Sequence, residues 1–381
     1  MRFYNNVYAE INLDDMIHNL NTIRNLNSNQ KIIAVVKDDA YGHGSVEISK
    51  KLIENNVDML AVGHIFEAVE LREAGITAPI LIMGITPVEY TYELLKYRLT
   101  QTVTSFEYAI LLSQEIHKFS KKLKIHIKID TGMGRVGLFA SDENYEIVNN
   151  IFGDPCFEVE GIYSHFSDAD NKDSEYTFSQ HKLFNTFCNN LKELKLNIKY
   201  KHICNSSGSV NFDFNNMNCI RPGVALYGYG VDKQIKFKPI MSLKAKIVHI
   251  KKANKGDFIG YGKTYKVNKE SIIATINVGY GYGYPRYLSN KGKVIVNGHY
   301  ANIVGNVCMD HFMIDITHIN SVKLFDDVIL IGKMNEKIID ANDISVMGNT
   351  ISYEVLCGIR RKVSRVYISN EKVISIREVN L

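Results

Sequence analysis

The feature that most constrains this chain is a rhythm: eight short β-branched or apolar runs, half of them trailed by a stretch of helical periodicity. The runs fall at residues 32–36, 59–62, 80–83, 101–104, 125–129, 159–163, 202–204 and 219–220, with helical patterns at 45–55, 66–74, 106–118 and 174–194. Strand and helix alternating in this way predict parallel βαβ units. Eight units within about 230 residues fit a closed (β/α)8 TIM-type barrel, with an open doubly wound sheet as the alternative. After about residue 231 the texture changes. Runs at 241–250, 271–278, 293–296, 313–316 and 328–331 are β-branched or alternating, and helical pattern returns only at 338–346 and 351–356. The expected class is therefore α/β, a barrel over residues 1–235 followed by a mainly β C-terminal domain over 236–381.

Composition narrows the function classes. Apolar residues make up 45% and charged residues 23% of the 381, the balance of a soluble globular protein with a large core. The 45 Lys and Arg against 41 Asp and Glu leave a net charge of +4 without a basic block or stripe, so nucleic acid is not an expected partner. No apolar run approaches the ~20 residues of a membrane span, and MRFYNNVYAEINLDD has no apolar signal core. The six cysteines form no CxxC pair, which predicts reduced thiols and a cytoplasmic location.

Catalytic groups of a barrel gather where its strands end. Lys37 directly follows the first run, where partial desolvation would favour the neutral, nucleophilic amine; the alternative is a lysine that snorkels into water. His165 closes the sixth run, Asn205 and Ser206 follow the seventh, and Arg221 follows the eighth. This company suggests one shared site. Ser206 with the amides near Gly223 and Val224 would suit a phosphate, unless they are plain turn residues. Lys128 lies within the fifth run, where an inward lysine needs a charge partner or a modification and an outward one needs neither. Arg135 sits in the Gly-rich turn that follows it.

Two motifs mislead. GYGKT at 260–264 ends like a phosphate-binding P-loop, but position 257 is Asp where that motif needs Gly. His165, Asp168 and Asp170 match no strong metal-ligand spacing, so no metal is expected. The tyrosine-glycine loops of the second domain, GYGKTY and GYGYGYPR, look like loop residues when taken alone.

Taken together, AVVKDDAYGHG, KIDTGMGRVG, YSHFSDAD, CNSSG, RPG, GYGKTY, VGYGYGYPR, VCMDH and SYEVLC resemble, in order and spacing, the bacterial alanine racemases that depend on pyridoxal 5'-phosphate. The resemblance implies a head-to-tail homodimer with shared active sites, making D-alanine for peptidoglycan. It implies that Lys37 carries the cofactor as an imine and is one acid/base, and that Tyr261 of the partner subunit is the other. Arg221 would meet the cofactor's ring nitrogen, supported by His165, with Asn205 nearby. Tyr41, Ser206, Gly223, Val224 and Tyr353 would hold its phosphate. Arg135 and Met309 would take the substrate carboxylate. Lys128 matches a position that is often carbamylated. Tyr280, with Tyr353, would line the entry channel, and Asp170 and Arg286 its outer part.

The chemistry suits these roles. Racemisation removes a proton from one face of a carbon and returns one to the other, which two opposed bases achieve without moving the substrate. A guanidinium donates to a ring nitrogen without protonating it. A phenol titrates near about 10, so a tyrosine base needs cationic neighbours. The chain departs from the family pattern at Asp38, Asp39, Tyr282, Asn306 and His311. These positions bear on the outer channel and on strict preference for alanine, and a racemase of another small amino acid such as serine is the closest alternative. A non-catalytic cofactor carrier would lack the β domain and the opposing tyrosine. The signature motifs of the related two-domain decarboxylases are not matched.

Overall fold

The structure is a computed structural model and describes residues 6–194, 196, 198–230 and 235–378. Strand β1 (Val7–Asn12) alternates buried and half-buried positions. Helix α1 (Leu13–Leu26) follows at once, because the Asn12 side chain accepts from the amides of Asp14 and Asp15. Those two carboxylates also occupy the positive end of the helix dipole.

The barrel strands are β2 (Lys31–Val35), β3 (Met59–Val62), β4 (Ile80–Ile82), β5 (Thr100–Val103), β6 (Leu123–Asp130), β8 (Phe157–Tyr163), β9 (Tyr200–His202) and β10 (Cys219–Ile220), with the short β7 (Leu138–Phe139) added beside β6. All pair in parallel. The order β5-β4-β3-β2-β10-β9-β8-β6 is closed by a β5–β6 ladder, so this is a barrel and not an open sheet. Strands β3, β4 and β5 are buried at every position, as parallel strands under helices must be. The connections carry α2 (Lys37–Tyr41), α3 (Ser45–Glu54), α4 (Ile65–Glu73), α5 (Thr91–Lys96), α6 (Phe106–Ile116), α7 (Glu143–Gly153), α8 (Glu175–Glu193) and α9 (Ser206–Asn211).

The rest is mainly β: β11 (Met241–Ala253), β12 (Phe258–Ile259), β13 (Tyr265–Lys266), β14 (Ser271–Ile276), β15 (Lys293–Val296), β16 (His299–Ile303), β17 (Phe312–Asp315), β18 (Asp327–Met334) and β19 (Lys337–Ile339), then α10 (Ala341–Gly348), α11 (Ser352–Cys357), β20 (Ser364–Ser369) and β21 (Lys372–Arg377). Its main sheet has ten strands in the order β19-β18-β15-β16-β17-β14-β11-β1-β20-β21, with β11 also pairing β18. Strand β1 belongs here: it runs antiparallel to β11 and parallel to β20. The division expected at 235/236 grouped residues 7–12 with the barrel. Their one-sided burial is that of a strand with a half-exposed face, unlike the fully buried barrel strands.

Arg365 on β20 joins the two parts. It is fully buried and donates to Gly42 O at 2.7 and 3.0 Å, Ile359 O at 3.0 Å, Arg360 O at 2.6 Å and Val363 O. Burial lowers its pKa to about 10, so it stays charged near neutrality. Arg365→Leu strands these carbonyls, so a loss of roughly 3–5 kcal/mol in denaturant unfolding is expected. A loss below about 1 kcal/mol would show that the carbonyls find other donors.

Candidate active site

Lys37 stands where β2 ends, at the start of a turn of unusual hand. Asp38, Asp39, Ala40 and Tyr41 all have φ between 53° and 55°, a left-handed turn without glycine that costs roughly 1–2 kcal/mol per residue. Its neighbours over-determine it. The Glu67 carboxylate accepts from the Asp38 amide and from those of Gly63 and His64 at 2.7 and 3.0 Å. Asp39 is buried and receives Arg377 from β21 through two bonds, at 2.7 and 2.8 Å. Gly42 (φ 80°) is pressed on α11 so closely that a Cβ would lie 2.4 Å from Leu356 O. Lys37 itself is partly enclosed at the strand end. Its side chain is 40% exposed, with Nζ 4.0 Å from Asp38 Oδ2.

Arg221, 2% exposed, is the hub of the barrel interior. Nη2 donates to Ser164 O at 2.7 Å and Ile203 O at 3.1 Å, and lies 3.2 Å from His165 Nδ1; Nη1 meets His202 Nδ1 at 2.6 Å. Among the described residues its Nε–H has no acceptor. Burial lowers its pKa to about 10, which leaves it protonated at neutral pH. His165 is held neutral, well below the usual histidine range, by burial and then by Arg221, Lys128, Arg135 and Lys37. Four cationic side chains therefore converge on one point.

Beside them is a cradle of hydroxyls and amides. Ser206 Oγ accepts from the Gly223 amide at 2.9 Å and the Ala225 amide at 3.2 Å, leaving its proton to donate elsewhere. A Cβ on Gly223 would come 2.5 Å from Tyr41 Oη, and one on Gly230 would meet Val224 Cγ1 and Tyr353 Oη. The Tyr41 and Tyr353 rings are 6.0 Å apart. Helix α11 of the second part thus reaches the mouth of its own barrel. Asn205 caps α9 through the Gly208 amide. Asp170 accepts from Ser207 and raises the pKa of Tyr353 next after burial, which sets it at the edge of this cradle.

Lys128 is buried (3% exposed), donates to Ile129 O at 2.8 Å and stands over the Tyr163 ring. Burial, then Arg221, brings its amine to about 7, against a smaller opposing pull from Asp130. In contrast, Tyr261 is 75% exposed, between β12 and β13, and Met309 and Tyr280 are also exposed. Gly281 N donates to Met309 O at 2.9 Å and Tyr280 N to Cys308 O at 3.0 Å, so these two loops form one surface. Arg286 lies in the same loop, ahead of Leu288. GYGKT joins two strands of a hairpin, the wrong setting for a P-loop.

Sequence reasoning passed over Glu67, Asp39, His202 and His126. The last had a signal. In β6 the polar residues His126, Lys128 and Asp130 alternate with Ile125, Ile127 and Ile129, placing all three polar side chains on one face.

An amine, a guanidinium and a phosphate-sized cradle at the ends of adjacent barrel strands define an enzyme site of the barrel class. The chain belongs to the alanine racemase family. The family's N-terminal domain matches residues 11–231 and its C-terminal domain residues 240–367. The alanine racemase of Clostridium novyi (strain NT) is 46% identical over 377 residues, covering 97% of each chain. The solved alanine racemase of Clostridium difficile 630 superposes with a TM-score of 0.94 at 36% identity over 99% of each chain. That of Bartonella henselae, solved with covalently bound pyridoxal phosphate, gives 0.84 at 25% identity over 96% of this chain and 100% of its own.

The Asp39–Arg377 pair carries a pH signature. Burial would raise the Asp39 carboxyl, but Arg377, the Ser45 amide and Arg361 hold it below the ordinary range. A depressed carboxylate contributes stability that is present above the unfolded pKa of ~3.9 and lost as pH falls through the folded value. The stability advantage over Asp39→Asn should be constant from pH 8 to 5 and shrink below about pH 4. An advantage unchanged at pH 3 would exclude the linkage.

Proposed function

We propose that the chain interconverts L- and D-alanine as a pyridoxal-phosphate enzyme with two opposed acid/base groups, Lys37 and Tyr261 of the partner subunit. The observation that carries this reading is the convergence of Lys37, Arg221 and the Tyr41–Ser206–Gly223 cradle on the ends of β2 and β10, which are hydrogen-bonded neighbours. These residues fit the cofactor. Lys37 offers an amine to an aldehyde, Arg221 an uncommitted Nε–H to a ring nitrogen, and the cradle a donor set for phosphate. The Gly223 position has no room for a side chain. When bound, pyridoxal phosphate supplies the electron sink that acidifies the substrate Cα–H.

The chain's own groups do the rest. Arg221, charged and buried, would donate to the ring nitrogen without giving up its proton. Lys37 moves a proton on one face. Arg135, in the Gly-rich turn after β6, would bind the substrate carboxylate together with the backbone at Met309, in a field already positive from Lys37, Lys128 and Arg221. Tyr261, Met309 and Tyr280 form an exposed surface of the second part, and the reading assigns this surface to the barrel of a partner, making a homodimer with shared sites. Tyr280, Asp170 and Arg286 would flank the approach. The domains would divide at 235/236, with β1 lent to the second. The product would feed peptidoglycan assembly from the cytoplasm.

The decisive experiment gives purified protein pyridoxal phosphate and L-alanine and follows the enantiomers chromatographically. Equilibration is expected. Lys37→Ala and Tyr261→Ala should each be inactive, and mixed subunits should recover activity through the one intact site a heterodimer retains. Faster turnover of serine would change the substrate, and no recovery in proven heterodimers would remove the shared site.

Lys128 should form a carbamate. A buried amine near neutral at pH 7 attacks CO2, and the resulting anion is favoured by Arg221 and Arg135. Protein equilibrated with 13C-bicarbonate should show a carbamate carbon signal that Lys128→Ala lacks. An identical spectrum from both proteins would leave Lys128 a plain cation.

A further inference from the structure

The barrel interior holds a chain of hydrogen bonds whose direction can be read from one end. A guanidinium can only donate. His202 Nδ1, 2.6 Å from Arg221 Nη1, must therefore be an acceptor, and the proton of this neutral ring sits on Nε2. That Nε2–H faces His126 Nδ1 at 3.0 Å, so His126 accepts in turn and carries its own proton on Nε2. There the chain stops. His126 Nε2 is buried and has no partner among the described residues. Both rings are fully buried and both are held neutral, chiefly by burial and next by Arg221.

An orphaned buried donor is unfavourable for folding, and an exception of this kind calls for a reason. Packing does not supply one, since an apolar side chain would fill the same space but leave the orphan one step back, at His202 Nε2–H. The ring is closely housed: a Cβ on Gly161 would come 2.7 Å from it. What only a histidine-like group provides here is an acceptor for His202.

We infer that His126 is a positioning residue for the reaction. Arg221 fixes the tautomer of His202; by accepting from His202 Nε2–H, His126 fixes the orientation of that ring, so that Nδ1 stays aimed at Arg221 Nη1 and the guanidinium is held as a donor facing the cofactor's ring nitrogen. Without that acceptor the His202 Nε2–H is orphaned, and the ring gains by turning toward another acceptor, which takes Nδ1 away from Arg221. The inference rests on the reading of the site as a pyridoxal-phosphate centre, but the tautomers themselves do not.

The test compares the wild type with His126→Leu, which removes the acceptor, and His126→Asn, whose Oδ1 can replace Nδ1. Nitrogen-15 NMR of labelled histidines should show His202 and His126 both protonated on Nε2 in the wild type, unchanged from pH 5 to 9. In His126→Leu the His202 tautomer should persist, because Arg221 fixes it, but its Nε2–H should lose its hydrogen-bonded chemical shift, kcat should fall roughly tenfold with KM little changed, and the absorbance of bound pyridoxal phosphate should shift. Its Tm should not exceed the wild type's, because the buried orphan has moved to His202 Nε2–H. His126→Asn should recover the hydrogen-bonded shift and most of kcat. A kcat and cofactor absorbance unaltered in His126→Leu, or Asn performing no better than Leu, overturns the inference. If the wild type fails to racemise alanine while the tautomers are as stated, the functional reading falls and the network stands.

Discussion

The structure depends on a turn that the chain would not adopt by itself. Four consecutive residues without glycine wind left-handed between Lys37 and Gly42, at a cost of several kcal/mol by the usual estimate of ~1–2 per residue. The turn persists because each end is tied to a different element. Glu67 holds the Asp38 amide from the loop after β3, and Arg377 and Arg365 hold Asp39 and Gly42 from the last two strands. The result fixes two outputs at once: where the Lys37 amine leaves the strand end, and where the Tyr41 hydroxyl meets Gly223. Strain of this kind is found where geometry matters more than stability.

The barrel centre shows the same preference. A core made only for stability would be apolar, yet His126, Lys128, His202 and Arg221 are all buried there. Burial pushes every one of them toward its neutral form. Arg221 escapes because even a large downward shift leaves it at about 10, whereas the two histidines are driven neutral and Lys128 stops near 7. One fixed cation thus sorts its neighbours. The histidines become acceptors that aim it, and the lysine becomes an amine with a lone pair.

Much of this was legible in the residues. The barrel could be counted because buried parallel strands are continuous apolar runs, and strand ends named Lys37, His165 and Arg221 because catalytic groups collect there. The rest was hidden for physical reasons. Local propensity cannot foresee a left-handed turn whose ties lie 338 residues away, as between Asp39 and Arg377. Nor does a half-buried alternation at Val7–Asn12 say which sheet will take it, since the partners β11 and β20 come more than 230 residues later. How far Lys37 is enclosed depends on what covers the strand end, which its apolar approach cannot tell, and 40% of that side chain remains open. His126 was overlooked although the polar alternation of β6 displays it.

The second part of the chain therefore serves two places. Through Arg365, Arg377 and Tyr353 it completes the mouth of its own barrel. Through the hairpin at Tyr261 and the paired loops at Tyr280 and Met309 it presents a surface that its own barrel does not cover. In the proposed dimer these duties fall on opposite sides of the active site: the lysine's turn is shaped in cis, and the tyrosine arrives in trans. Such a division has a mechanical advantage for a reaction that must treat both faces of one carbon alike. The two acid/base groups are anchored to separate rigid bodies, so the geometry of one can be held by strain without distorting the other.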